Sequence, residues 1–150
     1  MIENKSRQIK IEILALPPYE LSPNYSRQAH WGHKAKARKF WGDVVYYYAV
    51  HTRNMWEIKS KGVKWQPIER ASLKWTFIYG VKRTRDADNL ITSVKVGQDA
   101  LVNAGIILAD DTEHLSLEPI EIIVNKERAS LTIIEIKEEL WKSIAVLDTA

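Results

Sequence analysis

Hydrophobic and polar residues alternate in several short stretches of the chain. In RQIKIEIL, residues 7–14, every second residue is isoleucine, and a second stretch alternates through Leu73, Trp75, Phe77 and Tyr79. A period of two predicts strands that bury one side. EPIEIIVN and ASLTIIEIK predict two further strands, and the polar turn NKERA between them predicts that they form a hairpin.

Elsewhere the apolar spacing changes to three and four residues, which predicts helices. The first helix is expected from about Gln28 to Met55, with Ala37, Trp41, Val44 and Tyr48 on its apolar side. The second is expected from about Asp88 to Asn103, with Gly105 as its C-cap. Its core side is expected to carry Leu90, Ile91, Val94 and Leu101.

The resulting order is β-α-β-α-β-β. It predicts an α+β fold in which a mixed sheet of about four strands has helices packed on one face. A chain of 150 residues fits one domain, residues 1–150. Residues 138–150 form a C-terminal tail in which Leu140, Ile144 and Leu147 have helical spacing, so that the tail could pack on the body or on a partner subunit.

Composition places the chain among globular proteins. Hydrophobic residues make up 45% of it and charged residues 27%, and it has no cysteine, which excludes disulfides and thiolate metal sites. The N-terminal residues MIENKSRQIK lack the apolar segment of a signal peptide, and no run approaches the ~18 apolar residues of a membrane span. A cytoplasmic protein without a membrane partner is the expectation.

Charge is distributed unevenly along the chain. Residues 1–85 hold 17 Lys and Arg against 6 Asp and Glu, whereas residues 86–150 hold 5 against 13. The two parts therefore carry +11 and −8, which add to the net charge of +3. Such asymmetry is a weak indication of nucleic-acid binding, because distant segments can mix in space.

The sign of the charge changes inside RTRDADNL, residues 83–90, at the start of the second helix. Helical spacing places Asp88, Lys95 and Asp99 along one side of that helix, and Asp86 just precedes it. Asp88 could simply be an N-cap, and Lys95 and Asp99 could form an ordinary i,i+4 ion pair. A single cap, however, does not need a second carboxylate two residues upstream.

A second acidic pair, Asp110 and Asp111, follows the helix in ADDTEHL. As a turn signal the pair is ordinary. About fifteen helical residues separate the two acidic groups, roughly 22 Å along the axis. The groups can share a cation only if the chain after Gly105 doubles back towards the start of the helix.

Taken in order, these motifs resemble the RusA-type Holliday junction resolvase family. RDADN, the helix lysine, DALVNAG and the DD pair carry the resemblance, together with the N-terminal LPPYELSPNYSRQAHWGHKAKAR, and it spans roughly Leu16 to Leu115. Each motif alone is common, and the ordered set is more specific. Asp88 and Lys95 are seven residues apart, one helical turn more than in the shorter bacterial form, which keeps the amine on the same side of the helix.

The resemblance implies a metal-dependent endodeoxyribonuclease that resolves four-way DNA junctions as a homodimer, by paired symmetric hydrolysis of phosphodiesters. It implies Mg²⁺, with Mn²⁺ as a substitute, and no small-molecule cofactor. The implied metal ligands are Asp86, Asp88 and a third position at Asp111 or Asp110, with Asp111 ranked first, and Lys95 joins the aspartates in catalysis. Aspartate oxygens suit a hard cation, which would polarise the phosphoryl group and activate water.

Eight residues are expected to contact the DNA: Arg27, His30, Trp31, Lys34, Lys36, Arg83, Arg85 and Asn89. Basic side chains would bind phosphates without reading sequence, and Trp31 among its cationic neighbours could stack on an unpaired base. The plainer interpretation of these basic runs is a solvated surface. Two other functions also fit the sequence: a junction-binding protein without catalysis, and a nuclease for other branched or flap DNA.

Overall fold

The computed structural model describes residues 6–18, 21, 31–80 and 87–139, with the main chain alone for Trp31 and for residues 87–89. These residues form two helices and five strands. In chain order the elements are β1 (Gln8–Ile13), α1 (Trp31–Lys59), β2 (Ala71–Tyr79), α2 (Ala87–Asn103), β3 (Leu115–Leu117), β4 (Glu121–Val124) and β5 (Leu131–Glu138).

The strands form one mixed sheet around β2. On one side β2 pairs antiparallel with β5, which in turn pairs antiparallel with β1. On its other side β2 pairs parallel with β3 near its start and with β4 near its end. The expected α+β fold is confirmed, with five strands in place of about four.

The predicted hairpin between the last two strands is wrong. β4 and β5 are not hydrogen-bonded to each other, because β2 lies between them and pairs with both. The hydrophobic pattern identified both strands, but it carries no information about which neighbour a strand pairs with, and β4 is exposed along its length.

Helices α1 and α2 pack together on one face of the sheet. Trp75 and Phe77 of β2 and Trp41 of α1 are fully buried there, and the Trp41 indole N–H donates to the main-chain oxygen of Ser93 in α2 at 3.0 Å. Of the core side expected for α2, Leu90, Val94 and Leu101 are buried, but Ile91 is 55% exposed and the prediction is wrong for it. Ile91 lies on the edge of the apolar stripe, where a small rotation of the helix turns a residue towards solvent.

The opposite face of the sheet carries alternating charges. The strand register places Lys10 of β1, Glu135 of β5 and Lys74 of β2 side by side. Lys74 Nζ also lies 2.9 Å from a carboxylate oxygen of Glu121 in β4, and this hydrogen bond raises the pKa of the lysine. Cations and anions therefore alternate across four strands.

The chain turns sharply after α2. Gly105 adopts a φ of +72°, and the N–H of Ile106 donates to the oxygen of Leu101, the C-cap arrangement that the sequence predicts. The following residues run beside Ile68, whose N–H donates to Ile106 O at 3.0 Å. A further bond joins Ala71 N–H to His114 O at 2.9 Å. The acidic turn therefore lies near the start of β2.

The last strand extends further than expected. The tail was predicted to begin at residue 138, but Glu138 is the last residue of β5, and its neighbour Glu139 still donates its main-chain N–H to Arg70 O at 2.8 Å. The helical spacing of Leu140, Ile144 and Leu147 lies outside the described residues. Within the described part of the chain, neither helix is long and apolar enough to cross a membrane.

Candidate metal centre and helical face

The acidic turn returns onto α2 and brings Asp110 next to Asp99. The two carboxyl groups are close enough to share a hydrogen bond. Partial burial, then this hydrogen bond, then the charge of Asp110 raise the pKa of Asp99 above its usual value. Two adjacent carboxylates repel each other unless a proton or a cation lies between them, so the pair has the chemistry of a hard-cation ligand set.

Lys95 lies one helical turn before Asp99 and is exposed. Its positive charge acts on Asp99 in the opposite direction and lowers the pKa of that carboxyl, which shows that the two side chains are neighbours. The helix spacing had predicted this pair. An amine beside two carboxylates can neutralise a phosphate group that approaches them.

Asp111 has different hydrogen-bond partners from Asp110. Its Oδ1 accepts hydrogen bonds from the main-chain N–H groups of Glu113 and His114, each at 3.0 Å, and lies 2.6 Å from His114 Nδ1. These bonds, chiefly the one with the histidine ring, lower the pKa of Asp111. The side chain thus holds the turn in shape.

Asp111, Glu113 and His114 could together offer one ligand atom each to a metal ion, because those atoms lie within 4.8 Å of one another. Asp111 and Glu113 are exposed, and His114 is half-buried. Because Asp111 already forms hydrogen bonds within its own turn, the turn alone explains why these three residues are close together. Their proximity by itself does not identify a metal centre.

Within the described residues, the main chain of Asp88 and the Asp99–Asp110 contact lie at different levels along α2. Asp88 is in the first turn of α2, and Asp99, the residue that Asp110 contacts, is in its fourth. Eleven residues separate them, about 16 Å along the helix axis. The chain after Gly105 does double back, but by only about one turn of helix.

The other predicted site residues divide into three groups. Lys36 is exposed and Lys34 half-buried, both in the first turns of α1. Trp31 and Asn89 are placed by their main chain, in the first turn of α1 and of α2 respectively. The remainder lie outside the described residues: Arg27, His30, Arg83, Arg85 and Asp86.

A cleft of about 620 Å³ lies between α1 and α2 on the outer side of the helical layer. Its lining includes Arg38 and Tyr47 from α1 and Lys95 and Asp99 from α2. The cleft therefore combines both signs of charge with an exposed aromatic ring, and it leads to the Asp99–Asp110 pair.

The sequence did not predict that Asp99 contacts Asp110. It placed Asp99 beside Lys95 and on the same stripe as Asp88, but gave it no part in the metal site. The available signal was this stripe together with the return path after Gly105. The sequence does not specify how far the chain returns along α2. This distance is set by the main-chain hydrogen bonds of Ile106 and Leu108 with Ile68.

No protein-family model matches this chain, and no curated protein matches it.

Proposed function

We propose that the protein is a magnesium-dependent endodeoxyribonuclease that acts on branched DNA, with the four-way junction as its substrate and a homodimer as its working form. The observation that carries the proposal is the approach of Asp110 to Asp99, which lines the cleft between the helices together with Lys95. The junction as substrate, and Asp86 and Asp88 as further ligands, come from the family resemblance.

The chemistry follows from the residue types. Asp110 and Asp99 would hold a magnesium ion, which when bound polarises a phosphoryl oxygen and lowers the pKa of a water molecule. Lys95 would offset the charge that develops on the phosphate during attack. We assign the third metal position to Asp110, because Oδ1 of Asp111 already takes part in three hydrogen bonds within its own turn.

The test is scission of a synthetic mobile four-way junction by the purified protein with Mg²⁺ and with EDTA. We expect metal-dependent paired nicks for the wild type, and a loss of at least ~100-fold for Asp88→Asn and Asp110→Asn, because each removes a charged ligand. Asp111→Asn is the matched control and should keep most of the activity. Wild-type cleavage that both Asp88→Asn and Asp110→Asn leave unchanged would show the mechanism to be wrong.

A second candidate is a junction-binding protein without catalysis. The observation that favours it is the separation of about 16 Å between Asp88 and Asp99 within one chain. This candidate predicts tight, salt-sensitive binding and no scission at any concentration of Mg²⁺ or Mn²⁺. A panel of flap, fork and four-way substrates in the same assay separates the nuclease proposals from one another.

A further inference from the structure

Two neighbouring tyrosines of α1 line the cleft between the helices. Tyr47 is 69% exposed, and Tyr46 beside it is also exposed. Their ring centres are 5.6 Å apart and their planes are inclined at 79°, an edge-to-face contact in which each ring orients the other. The Tyr47 ring is therefore held in place without being covered. An oriented, exposed aromatic ring in a cleft is a stacking surface for a flat ligand.

The Tyr47 ring is level with the carboxylate pair along the helices. Two hydrogen bonds from α1 side chains to α2 main-chain oxygens show that the helices run in the same direction: Trp41 to Ser93 and Arg53 to Ala104. Tyr47 is midway between the two donors, and Asp99 is next to the midpoint of the two acceptors. A ligand stacked on Tyr47 would therefore lie beside the Asp99–Asp110 pair.

Two cations of the same cleft are placed to bind a phosphate group. Arg38 and Lys95 are exposed, and neither forms a salt bridge with another described residue. Lys39, by contrast, is paired with Asp43 at 2.9 Å. The remaining acid of the cleft lining, Asp99, belongs to the carboxylate pair that the proposed function assigns to Mg²⁺. The cleft thus joins a stacking ring to free positive charge.

We infer that the cleft binds one unpaired nucleotide of a DNA strand, with its base stacked on Tyr47 and its phosphate against Lys95. The inference rests on the proposed function, which supplies DNA as the substrate. It adds that the nucleotide next to the scissile phosphate is unpaired, and it makes Tyr47 a specificity-determining residue.

An unpaired nucleotide fits this cleft better than a base pair or an apolar protein segment. The volume of about 620 Å³ is typical of a site for a small ligand. Inside a duplex each base is covered by its stacked neighbours, so that only an unpaired base can offer its ring face to a tyrosine. An apolar segment would remove water from Arg38 and Lys95 without giving them an opposite charge.

The test compares the binding of a duplex that has one bulged adenine with the binding of the fully paired duplex. Fluorescence anisotropy in EDTA measures both affinities without cleavage. We expect the wild type to favour the bulged duplex by roughly tenfold, the scale of one stack between a base and an aromatic ring.

Tyr47→Ala should abolish this preference and leave the affinity for the paired duplex unchanged, because the side chain is largely exposed. Tyr47→Phe keeps the ring and should keep the preference. Phe40→Ala is the matched control, since Phe40 is an aromatic residue of the same helix, is 58% exposed and does not line the cleft. It should bind both duplexes as the wild type does.

Replacing the bulged adenine with 2-aminopurine reports the stack directly, because the fluorescence of this base falls when it stacks on an aromatic ring. We expect quenching by the wild type and by Tyr47→Phe, but not by Tyr47→Ala. Equal binding of the two duplexes by the wild type, or a preference that Tyr47→Ala retains, would overturn the inference.

The inference and the proposed function can fail separately. A protein that cuts four-way junctions with Mg²⁺ but shows no preference for the bulged duplex is a nuclease without this nucleotide site. A protein that prefers the bulged duplex through Tyr47 but never cuts has the nucleotide site without the nuclease activity. Binding of neither duplex would refute both. A change from dimer to monomer on sedimentation of Tyr47→Ala would show that a second copy covers the ring, and the inference would then be wrong.

Discussion

At the scale of single residues, Arg7 connects the first strand to the end of the last. Its Nε and Nη2 donate to the two carboxylate oxygens of Glu138 at 3.2 and 2.8 Å, and its main-chain N–H donates to the same carboxylate at 3.0 Å. Its guanidinium also lies 4.3 Å from the centre of the Trp65 ring. The hydrogen bonds from Arg7 lower the pKa of Glu138, because they favour the charged form.

We expect Glu138→Gln to reduce the free energy of unfolding at pH 7 by about 1 kcal/mol, the scale of a charge-assisted bond near the surface. A carboxyl whose pKa is lowered on folding contributes stability above its ordinary value of 4.5, and the contribution is lost as the pH falls through the lowered pKa. Urea unfolding at pH 7 and pH 3 measures this.

The difference between wild type and Glu138→Gln should therefore shrink at pH 3. Glu12→Gln is the matched control, since Glu12 is 53% exposed and lies 3.3 Å from Lys10. We expect it to change stability by less than ~0.5 kcal/mol. An equal loss for Glu138→Gln at both pH values would contradict an electrostatic origin.

The residue types of the candidate site could be predicted from the sequence, but their grouping could not. Lys95 and Asp99 are neighbours because the helix period fixes their spacing. Asp110 depends on the length and path of a loop, and no local pattern encodes these. Asp110 and Asp111 are equivalent in sequence, and only the hydrogen bonds of the turn distinguish the acid that supports the main chain from the acid that faces α2.

At the scale of elements, α2 contacts the sheet at a glycine. Gly97 is buried over the Trp75 ring, so close that a Cβ built at this position would overlap Cη2 and lie 2.9 Å from Cζ2. The absence of a side chain at Gly97 allows the helix to approach β2. The distance between helix and sheet, and with it the position of Lys95 and Asp99, depends on this contact.

We expect Gly97→Ala to destabilise the protein by roughly 1 to 2 kcal/mol, because the overlap with Trp75 exceeds the gain of about 1 kcal/mol from helix propensity. Gly42→Ala is the matched control. Its Cβ would meet only Val96 Cγ1 at 3.6 Å, an ordinary contact, so this change should be neutral or stabilising. Thermal unfolding of both variants measures the effect, and a stabilised Gly97→Ala would show that the contact is loose.

Hydrophobic pattern predicted most of the elements but not their arrangement. The strand with Leu73, Trp75, Phe77 and Tyr79 on one side is confirmed, and all four residues are buried. β3 was not predicted, because three residues are too few to show a period. The position of β4 depends on parallel pairing with β2, a long-range contact that amphipathic pattern does not specify.

At the scale of the whole molecule, part of the charge asymmetry along the sequence is also a separation of charges in the folded structure. The basic residues at the start of α1 lie at one end of the helical layer, and the acids after α2 lie at the other. Lys39 is partly neutralised by Asp43, whose carboxylate lies 2.9 Å away. Among the described residues, no salt bridge involves the other three cations, Lys34, Lys36 and Arg38, which makes them the candidates for phosphate contacts under the proposed function.

We expect the triple variant Lys34→Ala, Lys36→Ala, Arg38→Ala to bind four-way junctions more weakly and with a shallower salt dependence. Each lost phosphate contact should reduce the slope of log K against log salt by roughly 0.9, up to about 3 for three contacts. Fluorescence anisotropy between 50 and 200 mM salt measures the slope. Lys126→Ala, in the turn before β5, is the control, and a triple variant with the wild-type slope would place the DNA elsewhere.

The alternating row of Lys10, Glu135, Lys74 and Glu121 has a consequence for assembly. Each charge already has an opposite neighbour in its own chain, so stacking a second sheet on this row would strip water from ions that gain no new partner. Growth of larger oligomers through this side is therefore unfavourable.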